Sequence, residues 1–372
     1  MARERIVVKI GSSSLANEQG GLSRTQLDAY VDAAARLKKA GHEVILVSSG
    51  AVAAGFYDLG YPTRPVTTQG KQAAAAIGQG QLMQAYSSAF NAHGLTASQH
   101  LLTRHNFADK VQYQNMYTTL SELLKRDIIP IINENDTVSV DALTFGDNDM
   151  LSALVAGLLH ARYLFLLTDI DGIYDKNPKE NLEAKKYHFL PDVTKSLLES
   201  AGQSGSNVGT GGMRSKLEAA ERAVSLGINV FIGKKEGTDF LFDILEGKGS
   251  GTYIGHSVTP GLSSKKQWVS LHSEASGMIT IDAGAEEAIL QKGKSLLPVG
   301  VTEVFGSFAA GDVVQVKNEK KQVIGRGQVN MSRNELDEVK GLPSAYALER
   351  IQTSRAEVIH QDEWAPKEKE RM

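Results

Sequence analysis

Five short apolar runs, rich in β-branched residues, punctuate the first two thirds of the chain: Ile6 to Ile10, Val44 to Val47, Ile128 to Ile132, Tyr163 to Leu167 and Ile228 to Ile232. Apart from Lys9 and Asn229 they carry no polar residue, so each predicts a strand buried on both faces. Between them the period lengthens. Leu27, Tyr30, Val31, Ala34 and Leu37 recur at helical spacing behind Ser23, a good N-cap, and ahead of Gly41, a C-terminal stop. Further helices are expected over 71–90 (interrupted at Gly78 and Gly80), 113–126, 150–159 and 213–226. Strands alternating with helices imply an α/β domain, a mainly parallel sheet sandwiched between helices. Ligands of such sheets bind beyond the carboxyl ends of the strands, so the chemistry is expected in the loops that follow them.

The pattern changes near Pro260 to Lys266. After it come short strand-like pieces, 268–271, 278–281, 313–316 and 323–329, with one clear helix over 283–291. A small β-rich domain over 266–360 is therefore expected behind an α/β domain over 1–260. The last ten residues, with 367–371 all charged, are expected to fray, and Gly249-Ser250-Gly251 reads as a turn.

Composition narrows the function classes. The length of 372 residues suits two domains. The net charge of −3 supplies no global field toward nucleic acid or anionic membrane. The chain has no cysteine, which excludes disulfides, thiolate catalysis and cysteine-held metals. No apolar signal region follows the first residues, and no apolar run approaches the ~18 residues of a membrane helix, so a cytoplasmic protein is expected. The nine histidines are scattered, without a His-Glu-x-x-His pair, and no G-x-S-x-G elbow occurs.

Four loops after predicted strands carry unusual polar content. In Lys9-Ile10-Gly11-Ser12, a lysine closes a buried strand. A desolvated ammonium needs a partner, so Lys9 either snorkels from the strand end or is a cation aimed at a phosphate. Ser48-Ser49-Gly50-Ala51 is either a tight turn or a place where backbone N–H groups approach an anion. Asn133-Glu134-Asn135-Asp136 and Gly146-Asp147-Asn148-Asp149 gather four carboxylates and three amides. They could hold an ammonium group, a magnesium ion or both, or form a set of Asx-turns. Gly209-Thr210-Gly211-Gly212-Met213-Arg214-Ser215-Lys216 places glycines before a helix with two cations in its first turns, which suits a phosphate cradle. Its spacing is not that of a Walker A loop.

Taken in order, VVKIGSSSL (7–15), VSSGAVAAG (47–55), INENDTVS (132–139), FGDNDMLSA (145–153), LLTDIDGIY (166–174) and GTGGMRSK (209–216) resemble the amino acid kinase family across roughly the first 260 residues. The combination of INEND, GDND and GTGGM resembles most closely the branch that phosphorylates the γ-carboxylate of L-glutamate in the first step of proline synthesis. Ser12-Ser13-Ser14 departs from the Gly-Thr-Ser common in relatives but keeps the hydroxyls. The resemblance implies ATP and Mg2+ as cofactors. It implies that Lys9 and Lys216 contact the transferring phosphoryl group, oriented by Asp149, and that Ser49, Asp136 and Asn148 bind glutamate. Lys9, Thr168, Asp169, Thr210, Gly211, Gly212, Met213, Arg214, Ser215 and Lys216 are implied in nucleotide binding; metal ligands are not implied. It further implies feedback inhibition by proline, a homo-oligomer, and a separate reductase, glutamate-5-semialdehyde dehydrogenase, that consumes the acyl phosphate.

The stretches 277–285, 295–300 and 310–314 resemble a PUA domain, a small β-barrel first noted in RNA-modifying enzymes. Between Lys265 and Met372 lysine and arginine do not outnumber aspartate and glutamate, so nucleic-acid binding is not expected there. Two rival readings are another carboxylate kinase such as an aspartokinase, against which INENDTV and GDND argue, and an RNA-binding protein with a relic kinase domain, against which the intact loops argue.

Overall fold

The structure, a computed structural model, describes residues 3–138, 148–176, 178, 181, 183–203, 212–255, 275–351 and 356–366. The chain divides into two units, one of residues 1–106 and 114–261, the other of 107–113 and 262–372.

In the first unit the apolar runs become strands of one sheet. These are β1 (Arg5–Ile10), β2 (Glu43–Ser48), β3 (Ala97–Leu102), β4 (Ile129–Glu134) and β5 (Tyr163–Leu167). After a ribbon of β6 (Ile173–Tyr174) and β7 (Lys186–Tyr187) come β8 (Phe189–Leu190), β9 (Asn229–Gly233) and β10 (Gly251–Ile254). The order is β3-β4-β2-β1-β5-β9-β10-β8, parallel from β3 to β9 and reversed at β10. Ile10 lies beside Ser48 on one side and Leu167 on the other, so the loops leaving β1, β2 and β5 start at one level of the sheet.

Side-chain alternation assigns each face its helices. Ile6, Val8 and Ile10 join the core beneath α1 (Arg24–Lys39) and α3 (Thr68–Ala92), against Leu27, Tyr30, Val31, Leu82, Tyr86 and Phe90. Val7 and Lys9 must then face the opposite side, where α6 (Asn148–Leu158) packs on β1. Ser23 caps α1 as expected, its hydroxyl accepting from the N–H of Gln26 at 3.3 Å. Helix α3 runs unbroken through Gly78 and Gly80, contrary to the expected interruption. Gly78 lies against the backbone of α2 (Ala51–Gly55), where an added Cβ would overlap Ala51 and Gly55. That glycine is there for helix-to-helix approach rather than as a breaker. The chain continues through α4 (Arg104–Ala108), α5 (Lys110–Lys125), α7 (Lys195–Gln203), α8 (Met213–Ser225) and α9 (Phe240–Leu245). No helix among the described residues is long and apolar enough to cross a membrane.

The second unit carries a five-stranded sheet in the order β12-β11-β13-β14-β15, from β11 (Gly277–Ile281), β12 (Val301–Gly306), β13 (Val313–Lys317), β14 (Val323–Val329) and β15 (Ile359–Pro366). Its core includes Ile279, Ile281, Val314, Val316, Val329 and Trp364. Besides the expected helix, α10 (Ala283–Leu290), it contains α11 (Arg333–Val339) and α12 (Ser344–Ile351), which the sequence pattern did not predict. Ser332 and Glu335 form a reciprocal capping box at the start of α11. Two expectations need correction. Glu363 to Pro366 do not fray but complete β15, whose Trp364 is buried, and Gly251 belongs to β10. The strand expected over 268–271 lies outside the described residues.

Candidate active site

The described residues of the expected loops converge beyond the carboxyl ends of β1, β2, β4 and β5. Lys9 points from β1 toward the start of α6 and is 4% exposed, so its ammonium is desolvated. Its Nζ lies 2.5 Å from Oδ1 of Asp149, which is itself 0% exposed. Helix α8 packs on α6 and brings Lys216, also 4% exposed, to the other oxygen: Nζ to Oδ2 is 2.9 Å. Burial pushes the Asp149 carboxyl up, but attraction by Lys9 and Lys216 outweighs burial and holds it below the ordinary carboxylate range. The Ser215 hydroxyl adds a long 3.4 Å bond to Oδ2. Two cations, one from the end of β1 and one from the first turn of α8, thus share one anion.

Beside this triad runs a line of amides. Asn148 Nδ2 donates to Ser49 Oγ at 2.8 Å and to Asn133 Oδ1 at 2.8 Å. Asn148 Oδ1 is buried with no hydrogen-bond partner among the described residues, an acceptor left open in a polar site. Asp136 follows β4. Burial, with the neighbouring Glu134 charge, pushes its carboxyl up to about 6 against the pull of Arg64.

Thr168 and Asp169 leave β5 next to β1, and the Thr168 hydroxyl donates to Asp169 at 3.0 Å. Gly212 is the N-cap residue of α8 with no side-chain cap, so the first N–H groups of α8 have no side-chain acceptor at the cap. Met213, Ser215 and Lys216 lie in its first turn. Arg214, in the same turn, pairs along the exposed helix surface with Glu218 at 2.9 Å. Thr210 and Gly211 lie outside the described residues. Among the described residues no three His, Cys, Asp or Glu side chains gather to hold a metal ion.

Sequence reasoning assigned no role to two members of the amide line. Asn133 was legible within the INEND run. Gln79, which accepts from Asn133 Nδ2 at 2.9 Å, sits on α3 outside every motif. Its only signal is a buried glutamine in an otherwise small and apolar stripe.

The chain matches the Amino acid kinase family over residues 4–234 and the PUA domain over residues 277–347. It is 58% identical over 372 residues to a glutamate 5-kinase of Geobacillus thermodenitrificans, covering 100% of both chains. It is 56% identical over 364 residues to a glutamate 5-kinase of Bacillus cereus, covering 98% of this chain and 99% of that one. Among solved structures, a carbamate kinase from Giardia lamblia bound to AMP-PNP aligns with a TM-score of 0.50 at 20% identity, over 69% of this chain and 99% of that chain, a likeness of fold.

Proposed function

The chain belongs to the amino acid kinase family, and from that membership and the buried triad we propose that it transfers the γ-phosphoryl group of ATP to the side-chain carboxylate of L-glutamate. The observation that carries the chemistry is the Lys9–Asp149–Lys216 arrangement: two desolvated ammonium groups held in place by one carboxylate.

A γ-carboxylate is ionised at pH 7 and needs no general base. One of its oxygens attacks the γ-phosphorus, the bond from that phosphorus to the β–γ bridging oxygen breaks, and ADP leaves with the electron pair. The obstacle is repulsion between anionic nucleophile and phosphates. Lys9 and Lys216, placed before the reaction begins, offset it electrostatically, as do the N–H groups at the start of α8. Asp149 holds the lysines and does not touch the substrate. Thr168, Asp169, Thr210, Gly211, Gly212, Met213, Arg214 and Ser215 are assigned to the nucleotide through the resemblance, a reading supported by the position of Thr168 and Asp169 at the end of β5 and by the uncapped start of α8. Both Asp149 oxygens face lysines, so the residues suit a magnesium ion that arrives with the nucleotide phosphates rather than one caged by the protein.

Ser49, Asp136 and Asn148 bind the amino acid end. Asp136 supplies a negative charge and Asn148 Oδ1 an open acceptor, both suited to an ammonium group. The product, γ-glutamyl phosphate, is a reactive acyl phosphate that a separate reductase would consume. Proline shares the substrate's amino and carboxyl end, so it would inhibit by competing at low glutamate. A homo-oligomer is expected on resemblance alone.

The test is ATP turnover with magnesium and hydroxylamine across a panel of amino acids. Hydroxamate should form with glutamate and not with aspartate or N-acetylglutamate, which lacks the ammonium group. Equal turnover with aspartate would sink the assignment.

A further inference from the structure

Helix α3 contributes nothing to the motifs, yet it backs the amino acid end of the site. Gly78 lets it approach α2 closely, directly behind the Ser49 turn. Its buried face then carries two polar side chains seven residues apart, Gln79 and Tyr86, both toward the strand ends. The Tyr86 hydroxyl meets Ser48 Oγ at 2.7 Å, and Ser48 donates to the Ser49 carbonyl at 3.0 Å. Gln79, 9% exposed, accepts from Asn133 Nδ2 through Oε1.

The polarity of the amide line follows from one group that cannot turn over. The backbone N–H of Glu134 donates to Asn133 Oδ1 at 2.9 Å. Asn133 must therefore turn its Nδ2 the other way, into a 3% exposed environment where a donor without an acceptor is costly. Gln79 Oε1 is that acceptor. With Asn133 held, Oδ1 also faces Asn148 Nδ2, and Asn148 is left presenting Oδ1, the open acceptor.

We propose that Gln79 is a positioning residue for the amino acid substrate, acting through Asn133 to fix which atom Asn148 presents. The inference rests on the proposed reaction. Without an acceptor at position 79, Asn133 rotates to find another partner, Asn148 loses its fixed orientation, and an ammonium group meets amide hydrogens part of the time. The effect belongs to amino acid binding, because the line's hydrogen bonds run from Gln79 through Asn133 and Asn148 to Ser49, whereas Lys9 and Lys216 pair with Asp149.

The experiment measures hydroxamate formation by the full chain and its variants. Gln79→Met has a similar volume and no acceptor, and should raise KM for glutamate about tenfold, the order of one lost buried hydrogen bond. KM for ATP and kcat should stay near wild type. Gln79→Glu keeps an oxygen acceptor and should restore KM toward wild type. Because Gln79 acts through Asn148, Gln79→Met should add nothing to KM in an Asn148→Ala background. If Gln79→Met does not fold, Gln79→Ala carries the same expectation. An unchanged KM for glutamate in a folded variant lacking the acceptor overturns the proposal, as does an equal rise in Gln79→Glu or full additivity with Asn148→Ala. Absence of hydroxamate from the wild-type chain overturns the functional reading itself, and this inference falls with it.

Discussion

The Nζ of Lys216 sits 2.9 Å from Oδ2 of Asp149, while Lys9 takes the other oxygen at 2.5 Å. Each of the three groups would be unfavourable alone in so buried a place. The three groups together sum to one positive charge, and burial has already taken most of the water from them. The arrangement suits a transition state whose charge spreads over phosphoryl oxygens.

Lys9→Ala and Lys216→Ala should each lower kcat about a hundredfold or more, the typical loss for one preorganised electrostatic contact. KM for glutamate should move little. Steady-state kinetics on folded variants decide this, and a near-normal kcat in Lys216→Ala would remove α8 from the phosphoryl site.

Asp149→Asn should cost stability as well as rate. Removing the anion takes from two buried cations the carboxylate they share, a loss of about 3–5 kcal/mol for a broken buried pair. The sign with pH follows from the depressed carboxyl. Its stabilisation is present above the ordinary carboxylate value, about 3.9, and is lost as pH falls through the folded value. Urea midpoints of wild type and variant should therefore differ at pH 7 and converge only in acid. A constant gap down to the acid transition would contradict the triad's role.

Asp136 titrates at about 6 in the folded protein. As the ionised form is the one that attracts an ammonium group, KM for glutamate should rise as pH falls below about 6, while KM for ATP stays flat. Asp136→Asn should have a high KM that no longer responds to pH in this range. A pH-independent KM in the wild type would mean that Asp136 does not meet the ammonium group.

Every candidate site residue from Lys9 to Lys216 lies in the first unit. A chain ended near Lys265 should keep its kcat. It should lose some stability, because Lys110 gives up its 2.7 Å bond to Gln328 and the buried Phe107 and Tyr113 are grouped with the removed residues. Thermal melts and hydroxamate assays of the truncated and full chains separate these effects. Since the C-terminal stretch has no cationic excess, the full chain should show no micromolar, salt-sensitive binding to RNA. Such binding would mean that charges gather on one face.

Strands were the most legible elements where both faces are buried. Tyr163 to Leu167 is apolar throughout because β5 lies between β1 and β9. Strand β3, Ala-Ser-Gln-His-Leu-Leu, is an edge strand with exposed positions, and its mixed composition gave no pattern to read. The same logic explains α3: the sequence shows a glycine, and only the neighbouring α2 says why it is there.

By itself the sequence determined which residues are chemically unusual where they stand. A lysine ending a buried strand, amides and carboxylates crowding after another, and glycines before a cationic helix are costly or purposeless in an ordinary fold, so local context is enough to mark them. Tertiary structure alone decided how they combine. Strand alternation turned Lys9 to the face of α6, the packing of α8 on α6 carried Lys216 to the second oxygen of Asp149, and the fixed Glu134 N–H set the direction of the amide line through Gln79. Such pairings depend on side-chain direction and the packing of distant elements, and a linear pattern carries neither.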